Sequence, residues 1–238
     1  MRTIYFYLRL VIAMIATLPN LLDAKRKKKS MHPNEFAKFA FGYVHEYAVG
    51  QLKASGANVQ LIGEENIPND RAVLFVSNHQ GLFDIAMYLA VIPTAKGAIA
   101  KEEIKKIPIL RTWMKYINCV FMDRKDMRKS AKAILEGVEI LKSGYSLVIF
   151  PEGTRSRNST MADFKAGSFK LATKAKVPIV PITMDGTYKL MEANGGHIRS
   201  ADVRVVIHPL IETDGLSREE ELQLPERVKG VISSALLS

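Results

Sequence analysis

Cysteine is almost absent from the sequence, and the signatures of several enzyme classes are missing as well. The single cysteine, Cys119, excludes a disulfide framework and any cysteine-based zinc or iron–sulfur site. His32, His45 and His208 show no metal-ligand spacing with acidic residues, so we expect no metal ion. The G-x-S-x-G motif of serine hydrolases does not occur. No linker, internal repeat or low-complexity stretch divides the chain.

Length and composition indicate one folded unit with appendages. The chain has 238 residues, somewhat above the ~100–200 of a typical domain. Hydrophobic residues make up 47% and charged residues 24%, which excludes an intrinsically disordered chain. The net charge of +10 predicts an anionic partner, which would be a nucleic acid, a membrane surface or a charged substrate.

The position of the positive charge favours a membrane. Five consecutive basic residues, 25–29, directly follow the long apolar stretch 4–22. Lysine and arginine beside an apolar segment are attracted to anionic lipids on the cytoplasmic face of a membrane. A nucleic-acid-binding protein would instead spread basic residues over a groove, among aromatic residues that stack on bases. We therefore expect anionic lipids at the cytoplasmic face of the cell membrane as a partner, and no nucleic acid.

Four interpretations are open for residues 1–24. A cleaved signal peptide is disfavoured, because Arg2 is the only basic residue before the apolar stretch and no small-x-small cleavage site follows. A buried core helix with Arg9 at its edge is a second interpretation. A helix that spans the membrane and one that lies in its interface carry most weight, and Pro19 shortens the length available for spanning. An amphipathic helix with an aromatic-bearing stripe is predicted next, over 34–53, and it suits the core or the interface equally.

From about residue 59 the pattern changes to alternating strands and helices. Short β-branched runs predict strands, and the helical spacing of apolar residues between them predicts helices. We therefore predict an α/β fold: a single layered domain with a mostly parallel or mixed central sheet flanked by helices, preceded by an N-terminal membrane-associating helical segment. Predicted strands cover 59–62, 72–77, 98–100, 118–122, 146–150, 178–183 and 203–208, and predicted helices cover 85–91, 108–116, 127–142, 166–175 and a last segment that starts at a Ser217–Glu220 capping box.

A histidine and an aspartate follow the predicted strand 72–77. His79 and Asp84 are five residues apart, which on one helix would rotate them about 140° from each other. On a strand they would take opposite faces. They can meet only across a turn, which Gly81 permits. A carboxylate against one imidazole nitrogen fixes the tautomer and leaves the other nitrogen free to remove a proton from a hydroxyl.

The His-x-x-x-x-Asp spacing has little specificity by itself. A second match, His197 and Asp202, occurs in this chain in the context of a loop. Only the first match lies where a buried strand enters a helix, which is where open α/β sheets bind their ligands. His79 is therefore the candidate base, and Asp84 is the residue that orients it.

Charged residues follow three further predicted strands. The strand 146–150 leads into a turn in which Gly153 allows close approach of a ligand and Arg155 offers a two-pronged guanidinium for phosphate. Lys101 and Arg124 follow two other strands. Each is more commonly a solvated charge when taken singly, but together they predict a cleft for an anionic ligand that also contains a base.

Four segments resemble, in order and spacing, the four motifs of the glycerolipid acyltransferases. The segments are Asn78-His79 through Asp84, Val120-Phe-Met-Asp-Arg124, Phe150-Pro-Glu-Gly-Thr-Arg155 and Val177-Pro-Ile-Val-Pro-Ile182. The similarity extends from about residue 59 to 210, roughly two-thirds of the chain. The resemblance implies that residues 57–238 form a glycerolipid acyltransferase domain, behind membrane-associated helices in residues 1–56.

The resemblance also implies a reaction. An acyl group from acyl-CoA or acyl carrier protein would pass to the free hydroxyl of lysophosphatidic acid and give phosphatidic acid, with no cofactor besides this thioester co-substrate. His79 would deprotonate the hydroxyl, with Asp84 orienting the ring, and the oxygen would attack the thioester directly. Because no enzyme nucleophile is needed, Cys119 is expected in the core.

Substrate contacts are implied for the remaining motif residues. The third motif is associated with the glycerol phosphate, and Arg124 of the second motif with the same acceptor. Lys101 and Lys165 are assigned to the anionic cleft. The fourth motif, with its two prolines, suits a wall around the acyl chain better than a regular central strand. The third-motif residues are Glu152, Gly153, Thr154 and Arg155.

Two alternatives remain open. The same fold could acylate another acceptor, such as glycerol 3-phosphate or a different lyso-lipid. A non-catalytic phospholipid-binding protein could also use the cationic cleft. The His79–Asp84 pair argues against this second alternative, because binding a phosphate needs no oriented base.

Overall fold

The computed structural model describes residues 2–237, in which three N-terminal helices precede an α/β domain. α1 (Arg2–Ala16) and α2 (Leu18–Lys27) follow each other almost without a break, and α3 (Pro33–Ser55) packs back against both. The amphipathic helix expected over 34–53 is therefore present. It ends at Gly56, whose φ of +78° suits a glycine at the end of a helix.

A seven-stranded mixed sheet forms the centre of the α/β domain. Its strands are β1 (Ala57–Ile62), β2 (Leu74–Ser77), β3 (Lys96–Lys101), β4 (Val120–Met122), β5 (Ser146–Ile149), β6 (Ile179–Asp185) and β7 (Ala201–Ile207). The order across the sheet is β1-β7-β6-β2-β5-β3-β4, and every neighbouring pair is parallel except β6 and β7. The predicted fold class, an α/β domain with a mostly parallel or mixed sheet, is confirmed.

Five further helices belong to the α/β domain in the described chain. The last of them begins behind Ser217, whose side chain forms the expected capping box with Glu220. The helices are α4 (Phe83–Val91), α5 (Pro108–Tyr116), α6 (Met127–Lys142), α7 (Lys170–Ala175) and α8 (Arg218–Ser233).

The sheet separates two apolar cores. Side chains along β2 and the residue before it alternate between the faces, so Leu74 and Val76 enter one core while Val73 and Phe75 enter the other. α6, α7 and α8 cover the first face, and α1, α3 and α4 cover the second. Because both faces are covered, β2 is buried along its whole length, which explains its unbroken apolar sequence.

The path of β6 corrects one expectation. Residues 177–182 were expected to form a wall around the acyl chain, but they lead into a fully buried strand between β2 and β7. Pro181 is the register partner of Val76, and its carbonyl accepts a hydrogen bond from the His208 backbone N–H at 3.0 Å. The proline removes only its own donor from the ladder, so a central strand tolerates it here.

One face of α1 is attached to the rest of the molecule. Phe6 is buried with its ring 5.5 Å from that of Phe83, and Arg9 donates to the Gln51 side chain at 2.9 Å. The opposite side of α1 and α2 is apolar, and its side chains are 41–75% exposed. We call this surface the apolar outer face; it consists of Ile4, Tyr5, Leu8, Val11, Ile12, Ile15, Leu18 and Leu22.

The helical run Arg2–Lys27 is long and apolar enough to cross a membrane, as judged by length and composition. Signal sequences share this property, so the packing of the run is more informative than its composition. Phe6 is the one buried residue of α1, and Ala24 is the one buried residue of α2. The interpretation of residues 1–24 as a buried core helix is therefore wrong.

Candidate active site

His79 and Asp84 meet at the carboxyl end of β2. His79 Nδ1 lies 2.6 Å from Asp84 Oδ2, across the turn that joins β2 to α4. Asp84 lies in the first turn of α4 and its side chain is fully buried, whereas the His79 side chain is 14% exposed. With the carboxylate on Nδ1, this nitrogen carries the ring proton and Nε2 keeps a free lone pair. The arrangement can act as an oriented base.

Two further donors hold the Asp84 carboxylate. The Gly81 backbone N–H donates to Oδ2 at 2.9 Å, and the Thr187 hydroxyl donates to Oδ1. Thr187 lies in a short 3-10 helix, Thr187–Leu190, directly after β6. Burying a carboxylate is unfavourable unless its oxygens are hydrogen-bonded, so these donors offset the burial of Asp84 and fix its orientation.

Aromatic contacts fix the plane of the imidazole. The Phe150 ring stacks on His79 with 4.2 Å between ring centroids. Tyr88 packs edge-on against Phe150, with 5.5 Å between ring centroids. The ring of His79 therefore has a carboxylate on one edge and an aromatic surface on one face, which leaves little freedom of rotation.

Glu152 holds the loop that carries His79. Its Oε1 accepts the His79 backbone N–H at 2.6 Å and its Oε2 accepts the Ala162 backbone N–H at 2.9 Å. Burial raises the pKa of the Glu152 carboxyl. The sequence resemblance associates Glu152 with the acceptor, but the structure commits both of its oxygens to backbone amides. We therefore assign Glu152 to positioning the His79 loop.

Two buried amides join the same loop to the end of β6. Asn78 donates to the Met184 carbonyl and accepts the Met184 backbone N–H, both at 2.8 Å. Gln80 Oε1 accepts the Gly186 backbone N–H at 2.9 Å. These bonds replace the strand pairing that β2 loses where it turns, so the loop on either side of His79 is rigidly held.

Arg155 forms an ion pair that the sequence did not indicate. Its Nη1 donates to Glu192 Oε1 at 2.9 Å, and the same oxygen accepts the Leu82 backbone N–H at 2.8 Å. The backbone after Arg155 also bonds to the catalytic loop, because the Ser156 N–H donates to the His79 carbonyl at 2.8 Å. Arg155 is therefore held beside the turn between His79 and Asp84.

Gly153 brings two cations together. Arg124 donates through Nη1 to the Gly153 carbonyl. A β-carbon added at Gly153 would lie 2.7 Å from Lys165 Nζ, and the φ of this glycine is +74°. The backbone conformation therefore favours glycine, and the missing side chain leaves room for the end of Lys165.

A cavity of about 580 Å³ opens next to these residues. It shares Phe150 with the His79 stack and is bounded by the carboxyl ends of β3, β4 and β5 and by α6. Cationic side chains and apolar side chains both line it. The cations are Arg124, Lys165, Lys170 and Lys174, and the apolar side chains include Ile99, Met122, Ile134, Leu135 and Ile149.

Two residues assigned from the resemblance do not line this cavity. Lys101 forms an exposed ion pair with Glu103 at 3.0 Å and does not line the cavity. Thr154 is exposed. The structure therefore groups His79, Asp84 and Arg155 around one turn.

The second His-x-x-x-x-Asp match does not form a pair. His197 is exposed, and Asp202 accepts a hydrogen bond from the Asn58 side chain at 2.9 Å. Burial raises the pKa of the Cys119 thiol to about 12, so this cysteine is a poor nucleophile. Within residues 2–237, no three His, Cys, Asp or Glu side chains lie close enough together to hold a metal ion.

Sequence reasoning missed Thr187 and Glu192. Both follow β6, in a segment of short 3-10 helices without a motif, where threonine and glutamate are common surface residues. One signal was available, because residues 186–187 directly follow a buried strand, and the carboxyl ends of parallel strands meet at the same end of a sheet. Gly81 was expected to permit the turn by its conformational freedom. Its observed role is different, because a β-carbon there would lie 2.8 Å from Glu192 Oε2.

Comparisons with known proteins identify the family of this chain. A family model described as Acyltransferase matches residues 58–185. A Mycoplasma pneumoniae protein named "Probable 1-acyl-sn-glycerol-3-phosphate acyltransferase" is 33% identical over 188 residues, which is 77% of this chain and 70% of that protein. A chloroplastic Brassica napus 1-acyl-sn-glycerol-3-phosphate acyltransferase is 39% identical over 84% of this chain, which spans only 56% of the plant protein.

A solved structure shows the same fold. The crystal structure of the 1-acyl-sn-glycerophosphate acyltransferase PlsC from Thermotoga maritima superposes with a TM-score of 0.84 at 30% sequence identity. The match covers 98% of this chain and 92% of the Thermotoga chain, so it includes the N-terminal helices. The resemblance seen in the four motifs is confirmed: the chain belongs to the acyltransferase family.

Proposed function

We propose that this protein is a 1-acylglycerol-3-phosphate O-acyltransferase, which acylates lysophosphatidic acid to phosphatidic acid. The observation that carries the proposal is the His79–Asp84 pair, held beside a cavity with a cationic rim. The names of the relatives support the same acceptor. A protein that only bound phospholipid would not need a buried carboxylate on the imidazole.

The geometry supports direct acyl transfer. His79 Nε2 takes the proton of the acceptor hydroxyl while Asp84 stabilises the imidazolium that forms. The hydroxyl oxygen bonds to the thioester carbonyl carbon, the carbon–sulfur bond breaks, and the leaving thiolate takes the proton from Nε2. Acyl-CoA or acyl carrier protein would be the donor, and the reaction requires no metal or other cofactor.

The cationic residues suit the phosphate of the acceptor. Arg155 uses one N–H on Glu192, and its other N–H groups donate to no protein acceptor within residues 2–237. A guanidinium with a free edge binds phosphate through two parallel hydrogen bonds. Lys165 and Arg124, on either side of Gly153, add positive charge at the cavity mouth.

The cavity beside His79 suits the acyl chain. Its interior is lined by Ile99, Ile134 and Ile149, and burying a methylene group contributes ~0.8 kcal/mol. The cations lie where the chain would enter, so a thioester at the mouth would have its chain in an apolar site and its anionic carrier outside.

The apolar outer face of α1 and α2 suits the membrane interface. A spanning arrangement would pull α1 off the domain, which would expose Phe6 and break the hydrogen bond between Trp113 Nε1 and Thr17 Oγ1. Lying in the interface keeps these contacts and buries the outer face in lipid. The basic residues 25–29 then contact anionic headgroups, which are characteristic of the cytoplasmic leaflet.

Replacing the base should abolish turnover. We expect His79→Ala to lower kcat at least about a hundredfold, because general base catalysis contributes ~10²–10⁴. Asp84→Asn should also lose most activity, because an amide cannot stabilise the imidazolium. Steady-state kinetics with lysophosphatidic acid and acyl-CoA measure both. His197→Ala is the control and should keep wild-type activity; a loss equal to that of His79→Ala would contradict the assignment.

Removing Arg155 should weaken binding of the acceptor. A hydrogen bond to a charged group contributes ~1.5–3 kcal/mol, so Arg155→Ala should raise the KM for lysophosphatidic acid roughly ten- to a hundredfold. The KM for the acyl donor should change little. A rise confined to the donor KM would instead place this arginine on the phosphates of the donor.

Charges on the outer face should release the protein from membranes. Leu8 and Ile12 are 58% and 56% exposed, and each contributes ~1.5–3 kcal/mol when buried in lipid. Leu8→Glu/Ile12→Glu should therefore weaken binding to vesicles at least about a hundredfold, as measured by co-sedimentation. Neutralising 25–29 should weaken binding to anionic vesicles and reduce its salt dependence without full release.

The control for this experiment is Leu222→Glu. Leu222 is 73% exposed, but it lies on α8, on the opposite side of the sheet from α1. We expect its replacement to leave vesicle binding unchanged. If Leu8→Glu/Ile12→Glu still pelleted with vesicles as the wild type does, the outer face would not be the membrane contact.

A further inference from the structure

A buried carboxylate with no part in the chemistry described above lies beside the site. The Glu192 side chain is only 5% exposed. Its Oε1 accepts two hydrogen bonds, from Arg155 Nη1 and from the Leu82 backbone N–H. Its Oε2 is buried and has no hydrogen-bond partner among residues 2–237. A buried charge is unfavourable unless it is paired, so a position that keeps one has a specific use for it.

Glu192 connects the proposed phosphate site with the turn that positions the base, and the acceptor must contact both at once. Leu82 lies in the turn between His79 and Asp84, so its N–H is part of the structure that positions the base. Arg155 is the residue to which we assign the phosphate. One carboxylate oxygen bonds to both. The Glu192 carboxylate lies so close to Gly81 that a side chain at Gly81 would displace the carboxylate.

We propose that Glu192 is a positioning residue that sets the distance between the phosphate site and the base. It holds Arg155 at Nη1, and so leaves the opposite edge of the guanidinium in a fixed orientation for phosphate. This inference rests on the proposed function, because it takes Arg155 as the ligand of the acceptor. Glu192 itself touches neither the acceptor nor the reacting atoms.

Loss of the negative charge should affect the acceptor alone. Glu192→Gln keeps the shape and one acceptor oxygen, but a charge-assisted hydrogen bond is roughly twice as strong as a neutral one. We expect the KM for lysophosphatidic acid to rise about fivefold, with a smaller fall in kcat, and the donor KM to stay unchanged. Glu192→Ala also removes the acceptor for the Leu82 N–H, so both changes should be larger.

A double-mutant cycle separates positioning from a general structural effect. Glu192→Gln is made in the wild type and in Arg155→Ala, with kinetics and thermal unfolding measured for each. If Glu192 acts through Arg155, Glu192→Gln raises the acceptor KM only when Arg155 is present. Arg155→Ala leaves a buried carboxylate unpaired, so adding Glu192→Gln should raise the unfolding temperature of that variant.

The matched control is Glu212→Gln, which breaks an exposed ion pair with Arg71 at 2.7 Å. It should change neither KM.

An equal rise of the acceptor KM in both backgrounds would overturn the inference, because Glu192 would then act independently of Arg155. So would an unchanged KM in Glu192→Gln when Arg155→Ala raises it. If Arg155→Ala itself left the acceptor KM unchanged, the phosphate assignment in the proposed function would fail instead. Should Glu192→Ala not fold, the near-isosteric glutamine variants decide the question.

Discussion

The Asp84 carboxylate has no exposure to water, and the architecture around the site follows from the need to satisfy it. Its donors come from three places in the chain: His79 after β2, the Gly81 amide in the turn, and Thr187 after β6. β6 must therefore lie next to β2, as it does in the sheet. Asn78 adds two further bonds across the same two strand ends. Burying a carboxylate without donors is strongly unfavourable, and the donors that satisfy Asp84 also hold it against the imidazole that it must stabilise.

The segment after β6 also connects the site to the N-terminal helix. Ile198 donates its backbone N–H to the Thr3 hydroxyl at 3.0 Å, and Arg2 donates to the Ser200 hydroxyl at 2.6 Å. α1 therefore starts at the same end of the sheet as His79, where the carboxyl ends of β2 and β6 lie. A helix in the membrane interface at this edge would place the base near the depth of phospholipid headgroups, where the hydroxyl of an amphiphilic acceptor lies.

Much of the fold could be predicted because its strands are short apolar runs separated by helices of regular periodicity. The antiparallel pairing of β6 and β7 could not, because strand order depends on contacts between distant residues. Pro181 argued against a central strand on general grounds, yet its carbonyl remains bonded to the His208 amide.

The residues of the site also fall into a group that the sequence predicts and a group that it does not. Residues within one motif could be predicted from the sequence, so His79 and Asp84 could be paired from the turn that their spacing requires. Residues that contact the motif from a distant part of the chain, such as Thr187 and Glu192, could not be predicted. Glu152 shows a further limit: its position in a motif identified it as functional, but only the structure shows that it bonds to backbone amides.

We conclude that Asp84 keeps His79 in the tautomer whose Nε2 is free. The tautomer can be measured by nitrogen NMR of the 15N-labelled protein, with the His79 signals identified by their loss in His79→Ala. We expect the neutral ring of His79 to carry its proton on Nδ1 and to have an unprotonated Nε2. A neutral ring with its proton on Nε2 would contradict it, because such a ring has no lone pair to offer the acceptor hydroxyl.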